Sequence, residues 1–241
     1  MSQILLIPAR RWPTPALWLD ASDASTYTLA DTNRVTSWRN KQNAAHEFTA
    51  AADARPTYSA TSFGGRAGIT FDLANSQHLR GAYTPSLTAL TVAVVLNRPS
   101  SATSMDLVTQ WDSGANQRSW SLNTNGQSLR AYMCKGGTTA SGFKSYTASS
   151  TIGTASTTLG FIFSAGTLTL WNKGAIDTNP TKTTDTAVET LHASTADMVI
   201  GASLNSGSVA GPYSGQLREV CIWHRALSAT QLLAWHNSRG L

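Results

Sequence analysis

Glutamate is scarce in this sequence. Among 241 residues there are three, Glu47, Glu189 and Glu219, and Asp, Glu, Lys and Arg together make up only 13%. A disordered tail carries far more charge and far fewer core formers, so intrinsic disorder is excluded. The net charge is +5, yet the basic residues are scattered singly apart from Arg10-Arg11. A nucleic-acid binder clusters them, so no nucleic-acid partner is expected. Long apolar runs are missing as well. No stretch approaches the ~20 residues that cross a membrane as a helix, and no membrane partner is expected. Cysteine is limited to Cys134 and Cys221, each inside a strand-like run. That is no disulfide framework, and two buried free thiols are expected; a bridge would require the two strands to be neighbours. The opening MSQILLIPARRWPTP has no basic segment ahead of its apolar patch, so no signal peptide is expected.

What the chain does have is Thr, Val and eight Trp, a composition that favours strands and supplies large core anchors. Short apolar runs recur about every ten residues, the rhythm of a sandwich or jelly roll. They are GITFDL, LTVAVVLN, MDLVTQWD, SWSLNTN, SLRAYMCK, LGFIFSAG, LTLWNKG and MVIGAS. Asn125-Gly126 suits a type I′ hairpin turn, and a second hairpin is expected around Ala165-Gly166. FGGRAG reads as a turn before a strand. One helix is signalled, near the C-terminus: Ser228 and Gln231 form a capping-box pattern, ATQLLAWHNSR follows, and Gly240 suits a helix stop. Residues 1–15 hold three prolines and read as an extended arm or edge segment. The domain proper then covers residues 16–241.

Chemistry is hard to find. The five histidines have no metal-ligand spacing, and neither a nucleophile elbow nor a phosphate loop is present. Calcium needs several oxygen ligands from loops. Asp72 with Asn75, or Asp112 with Asn116, could supply some; read as turn-forming residues, they leave the domain without a cofactor. The remaining signal is aromatic, because sugar rings stack on exposed Trp and Tyr faces. Trp12, Trp111, Tyr213 and the neighbouring Arg118 are the candidate ligand-binding residues. Trp18, Trp38, Trp171 and Trp223 lie in apolar strands and are expected to be structural.

Two segments carry a family resemblance. LWLDASDASTYTLADTNRVTSWRN, continued by ARPTYSATSFGGRAGITFDLANSQHL, and YSGQLREVCIWHRALSATQL together resemble the laminin G-like branch of the concanavalin A-like lectin/glucanase superfamily. The closing motif of that branch is matched in order by Gly215, Leu217, Glu219, Val220, Ile222, Trp223, Arg225, Leu227 and Ser228. The resemblance implies an all-β fold, a two-sheet antiparallel jelly-roll sandwich with a short C-terminal helix. It says little about function, because the fold hosts lectins, enzymes and interaction modules alike. Arg218 stands where the family often has an acid, and Asn40 where it often has Asp; each change removes a potential calcium ligand.

Glucanases of the superfamily carry paired carboxylates on one strand face, because a retaining hydrolase needs two carboxyl groups about 5–5.5 Å apart. The residues two positions from Glu219 are Leu217 and Cys221, so no second acid shares its strand. Glu219 is therefore expected to be a structural acceptor, bonded to backbone N–H groups or to an arginine such as Arg225. The chain reads as a non-catalytic binding or structural module. With no export signal it is expected to be a bacteriophage virion component, on the capsid or the tail. Its partners would be other virion proteins or further copies of itself, with contact to cell-surface glycans. The alternative is a cellular, lectin-like carbohydrate-binding module at the cell surface, and a glycoside hydrolase ranks last.

Overall fold

The structure, a computed structural model, describes residues 12–98 and 103–241. It contains twenty strands and one α-helix among those residues. In chain order the first ten strands are β1 (Leu17–Asp20), β2 (Tyr27–Ala30), β3 (Arg34–Arg39), β4 (Glu47–Thr49), β5 (Thr57–Phe63), β6 (Arg66–Phe71), β7 (Leu79–Gly81), β8 (Ala89–Asn97), β9 (Asp106–Asp112) and β10 (Gln117–Asn125). Then come β11 (Ser128–Gly137), β12 (Phe143–Thr151), β13 (Thr157–Ser164), β14 (Thr167–Asn172), β15 (Ala175–Ile176), β16 (Thr181–Asp185), β17 (Met198–Ile200), β18 (Ser203–Asn205), β19 (Ser208–Ala210) and β20 (Gly215–Trp223). Helix α1 (Ala229–Asn237) follows β20.

Pairing sorts the strands into two layers of a jelly-roll sandwich. In the first, β15, β14, β13, β8 and β20 run side by side, and β20 continues to β1 and β6, with β5 beyond β6. In the second the order is β16, β12, β11, β10, β9, β17, β7, β4, β3, β2. A single pairing, Arg34 with Thr57, joins them. Every pairing but β9–β18 is antiparallel, as the all-β reading requires.

Period-two alternation decides which side chains enter the core. On β8, Leu90, Val92, Val94 and Leu96 point between the layers, and Trp38, Trp120 and Leu122 meet them from the second layer. Trp120 and Phe161 touch across the interior at 5.8 Å between ring centroids. The opposite face of β8 and β20 is apolar too, so it needs a cover. Helix α1 supplies one: Leu232 and Trp235 close over Ala93, Val95, Cys221 and Trp223. Its start is fixed by the capping box, in which the Ser228 hydroxyl accepts from the Gln231 backbone and the Gln231 side chain accepts from the Ser228 backbone. The helix ends at Asn237, three residues before Gly240, because Ser238 takes the cap position.

The hairpin readings need one shift. Ala165 and Gly166 form the β13–β14 turn, both with positive φ, as a type I′ turn has. The β10–β11 turn is Gly126-Gln127, not Asn125-Gly126, because Asn125 pairs with Ser128 and only Gly126 takes positive φ. Glycine at the first central position is the II′ pattern, which twists with the strands as well as I′ does.

Candidate functional site

The outer face of the second layer carries a cluster of aromatic rings. Trp111 on β9, Tyr132 on β11 and Phe143 on β12 are half-buried there and meet as one platform. Their ring centroids lie 5.5 Å apart for Trp111 and Tyr132, 6.0 Å for Trp111 and Phe143, and 5.2 Å for Tyr132 and Phe143. Beneath the rings the sheet is polar. Tyr132 is in register with Ser121 on one side and Ser145 on the other, and both serines are buried. Thr109, Ser119 and Asn123 extend that floor. Aromatic rings over hydroxyl and amide groups keep a firm stacking surface without an apolar pit.

Two arginines bracket the platform. The Arg118 guanidinium lies 6.0 Å from the Trp111 ring, and that of Arg130 lies 4.7 Å from Tyr132. Arg118 is held by Nη1, which donates to Asn116 Oδ1 at 3.1 Å and to the Gly137 carbonyl at 3.2 Å. That corner depends on glycine: at φ +79° a Cβ on Gly137 would fall 2.1 Å from the Asn116 carbonyl oxygen. Arg130 Nε donates to Asn123 Oδ1 at 2.6 Å, Asn123 donates to Ser121, and Ser121 donates to Asp106. Burial, opposed by Ser203, Arg130 and Ser121, raises the Asp106 carboxyl from 3.8 to about 6. Asp112 closes the edge of the site. It accepts the backbone N–H groups of Ala115, Ser206 and Gly207, which ties the β18–β19 hairpin to β9.

Of the expected ligand-binding residues, then, Trp111 and Arg118 fall together, and Tyr132, Phe143 and Arg130 join them unanticipated. Alternation in SLRAYMCK and FKSYTASS contained these three, but only strand register puts them beside Trp111. Tyr213 does not belong to the site. It is fully buried, and its hydroxyl donates to the Asn97 carbonyl at 2.9 Å. Trp12 sits on the outer face of the first layer, packed with the α1 cluster under the Arg239 guanidinium. Its Pro13 neighbour accepts from Trp223 Nε1 at 2.7 Å. The rest of the expected arm, Ile4 to Ile7 and Arg10-Arg11 included, lies outside the described residues.

Glu219 is buried in a charged knot on that first-layer outer face. It meets Arg239 Nη1 at 3.2 Å and Trp18 Nε1 at 3.2 Å, with Arg218 Nε at 3.9 Å. Arg225 is not its partner: it is exposed, and its carbonyl accepts from Thr91. The sequence pattern is right about one same-face neighbour, Cys221, and wrong about the other, Leu217. A bulge between Leu217 and Glu219 turns Leu217 into the core, while Cys221 stays outside. A second carboxylate is present after all, supplied by another strand, since Asp20 on β1 is the direct register partner of Glu219. Asp20 is committed to Lys41 and to the Ser22 backbone and hydroxyl. Both acids are buried and each is held by its own cation, so the pair is a structural lock.

Trp18, Trp38 and Trp223 are buried. Asn40, which departs from the family pattern, accepts from the Trp18 backbone and donates to the Ala16 carbonyl, pinning β1. Asp72 caps a turn, one carboxylate oxygen accepting from the Ala74 backbone and the other from the Asn75 amide. No group of three or more His, Cys, Asp or Glu side chains poised for a metal occurs among the described residues. Cys134 and Cys221 are free and lie on opposite outer faces, with the whole sandwich between them. A disulfide spans at most about 7 Å between Cα atoms. A concavity of about 480 Å³ near Thr70, Asn97 and Gln216 offers polar walls and no exposed ring.

The architecture is thus a two-layer jelly-roll sandwich with an aromatic platform on one outer face. The chain belongs to the Laminin_G_3 family of the concanavalin A-like lectin/glucanases superfamily, whose profile matches residues 63–233. No curated protein sequence matches it. Among solved structures it is similar to the CBM40 domain of Ruminococcus gnavus IT-sialidase bound to α2,3 sialyllactose. The TM-score is 0.54 at 13% identity, over 70% of this chain and 95% of that one. It is also similar to the binding domain of Paraclostridial Mosquitocidal Protein 1 (TM-score 0.62, 10% identity) and to the receptor-binding domain of botulinum neurotoxin type G (TM-score 0.59, 10% identity). The alignments cover 94% of this chain and 52% of each of those two, so it spans about half their length.

Proposed function

We propose that this domain is a non-catalytic glycan-binding module whose ligand stacks on Trp111, Tyr132 and Phe143. The carrying observation is the platform itself: three half-buried rings in mutual contact on an outer sheet face, above a polar floor. Such rings present flat apolar surface to sugar faces, while nearby polar groups set orientation. The CBM40 neighbour, solved with sialyllactose, supports the reading by likeness of fold. Commitment of Glu219 and Asp20 to buried ion pairs supports the non-catalytic part. A glycan array probed with the native chain and with Trp111→Ala tests it. Retention of a glycan by the native chain and its loss in the folded variant is the expected result.

The virion reading is a second proposal, and the position of Trp12 is compatible with it. Trp12, which follows residues 1–11 in the sequence, packs on the outer face opposite the platform. A shell protein or second copy held through residues 1–11 and a glycan held on the platform would not compete. Deletion of residues 2–11 should then weaken assembly and leave glycan binding unchanged. Mass spectrometry of phage particles from the source would find the chain.

A further inference from the structure

We infer that the platform selects acidic sugars, those bearing a carboxylate, and that Arg118 and Arg130 at its ends read that group. The inference rests on the glycan-binding reading above. Along the face the order is Arg130, Tyr132, Trp111, Arg118, with steps of 4.7, 5.5 and 6.0 Å. It is a strip of two rings bracketed by two cations, with Phe143 alongside. Each guanidinium is anchored by part of its donor set only. Arg118 uses Nη1, and Arg130 uses Nε. Among the described residues the other nitrogens of both make no hydrogen bond, and neither side chain sits in a salt bridge. By contrast Arg39, Arg80, Arg218 and Arg239 each face a carboxylate.

A guanidinium is a planar fork whose paired N–H groups match a carboxylate in a two-point bond. One held rigid and half-buried loses little entropy on binding and is screened less than a mobile surface charge. A neutral sugar would engage the rings and leave those donors unspent. The surplus of positive charge, +5 over the chain, draws an anionic partner to either end. Single-stranded nucleic acid also stacks on rings between cations. Here the cations end a short strip and do not continue as a basic track along which a phosphate backbone could run, and that favours an oligosaccharide.

Calorimetry tests the inference with matched probes: trigalacturonate against its carboxyl-reduced form, 3′-sialyllactose against lactose, and a short single-stranded oligonucleotide. The native chain should bind at least one acidic probe about tenfold or more tighter than its neutral counterpart. Arg118→Gln and Arg130→Gln should each lower acidic binding toward the neutral level while the chain stays folded and still binds the neutral probe. Trp111→Ala should lose both. Equal binding of acidic and neutral forms, untouched by the arginine variants, would overturn the selectivity and leave the glycan reading standing. Absence of any glycan binding would overturn both. Retention of the oligonucleotide in place of the sugars would overturn both in favour of a nucleic-acid ligand.

Discussion

Asp20 and Glu219 stand opposite each other across the β1–β20 ladder, two buried acids in register at the two ends of the chain. Like charges facing across strands repel, and each is offset by its own cation: Lys41 for Asp20, Arg239 for Glu219. Arg239 comes from just beyond α1, and its guanidinium lies 4.8 Å from the Trp235 ring and 5.7 Å from the Trp18 ring. The Arg239–Glu219 pair therefore fastens the last residues to β20, and the ring contact with Trp18 reaches on to β1.

Arg239→Met should expose what that pair offsets. Methionine keeps much of the apolar stem among the tryptophans but leaves Glu219 buried without its main cation. Removing one partner of a buried pair costs about 3–5 kcal/mol. Burial foremost, with Asp20 adding, already raises the Glu219 carboxyl against the pull of Arg239 and Arg218. A raised acid contributes stability that is full below its unfolded value and lost as pH rises through its folded value. The loss in the variant should therefore be larger at pH above 7 than in mild acid. Denaturant melts across that range check it; a loss independent of pH would refute the account.

Asp106 gives the native protein a pH dependence of its own. Burial pushes its carboxyl up to about 6, from an ordinary value of 3.8. By the same sign rule, its contribution is full below pH about 4 and lost as pH rises to about 6. Asp106→Asn should leave acid stability unchanged, flatten that decline and raise the melting temperature at neutral pH. Thermal melts of the two chains at matched pH values decide the point.

Two tryptophans one strand apart should separate folding from binding. Trp120 is fully buried and packed on Phe161, so Trp120→Ala should cost about 3–5 kcal/mol. Trp111 is half-buried on the outer face, and Trp111→Ala should cost well under half of that while removing glycan retention. Comparable losses of stability in both would remove Trp111 from the platform role.

The cysteines should be silent. Burial pushes both thiols above their ordinary value, strongly for Cys221. A thiol-specific reagent should label neither in the native protein and both in denaturant. Melting temperature should be the same with and without reductant. A reductant-sensitive melt would point to a bridge the fold does not allow.

Much of this architecture was readable from residue order alone, because it rests on local rules. Period-two alternation in LTVAVVLN and SWSLNTN defines strands wherever they end up, and Ser228 with Gln231 starts a helix by bonding three residues away. Burial of Trp38 and Trp223 and the half-buried position of Trp111 beside Arg118 are consistent with the same local patterns. What only tertiary structure decided is every relation across the ladder. Tyr132 and Phe143 are strand residues by sequence, but pairing register alone puts them on the face with Trp111. Asp20 reaches Glu219 through β1–β20 pairing across nearly the whole chain, which no spacing within one strand encodes. Arg239 takes the place expected of Arg225 because α1 folds back over β20 and returns a distant side chain to the knot. Local periodicity depends on neighbours in sequence, whereas register depends on which strands meet, and that is set by burial of the whole core.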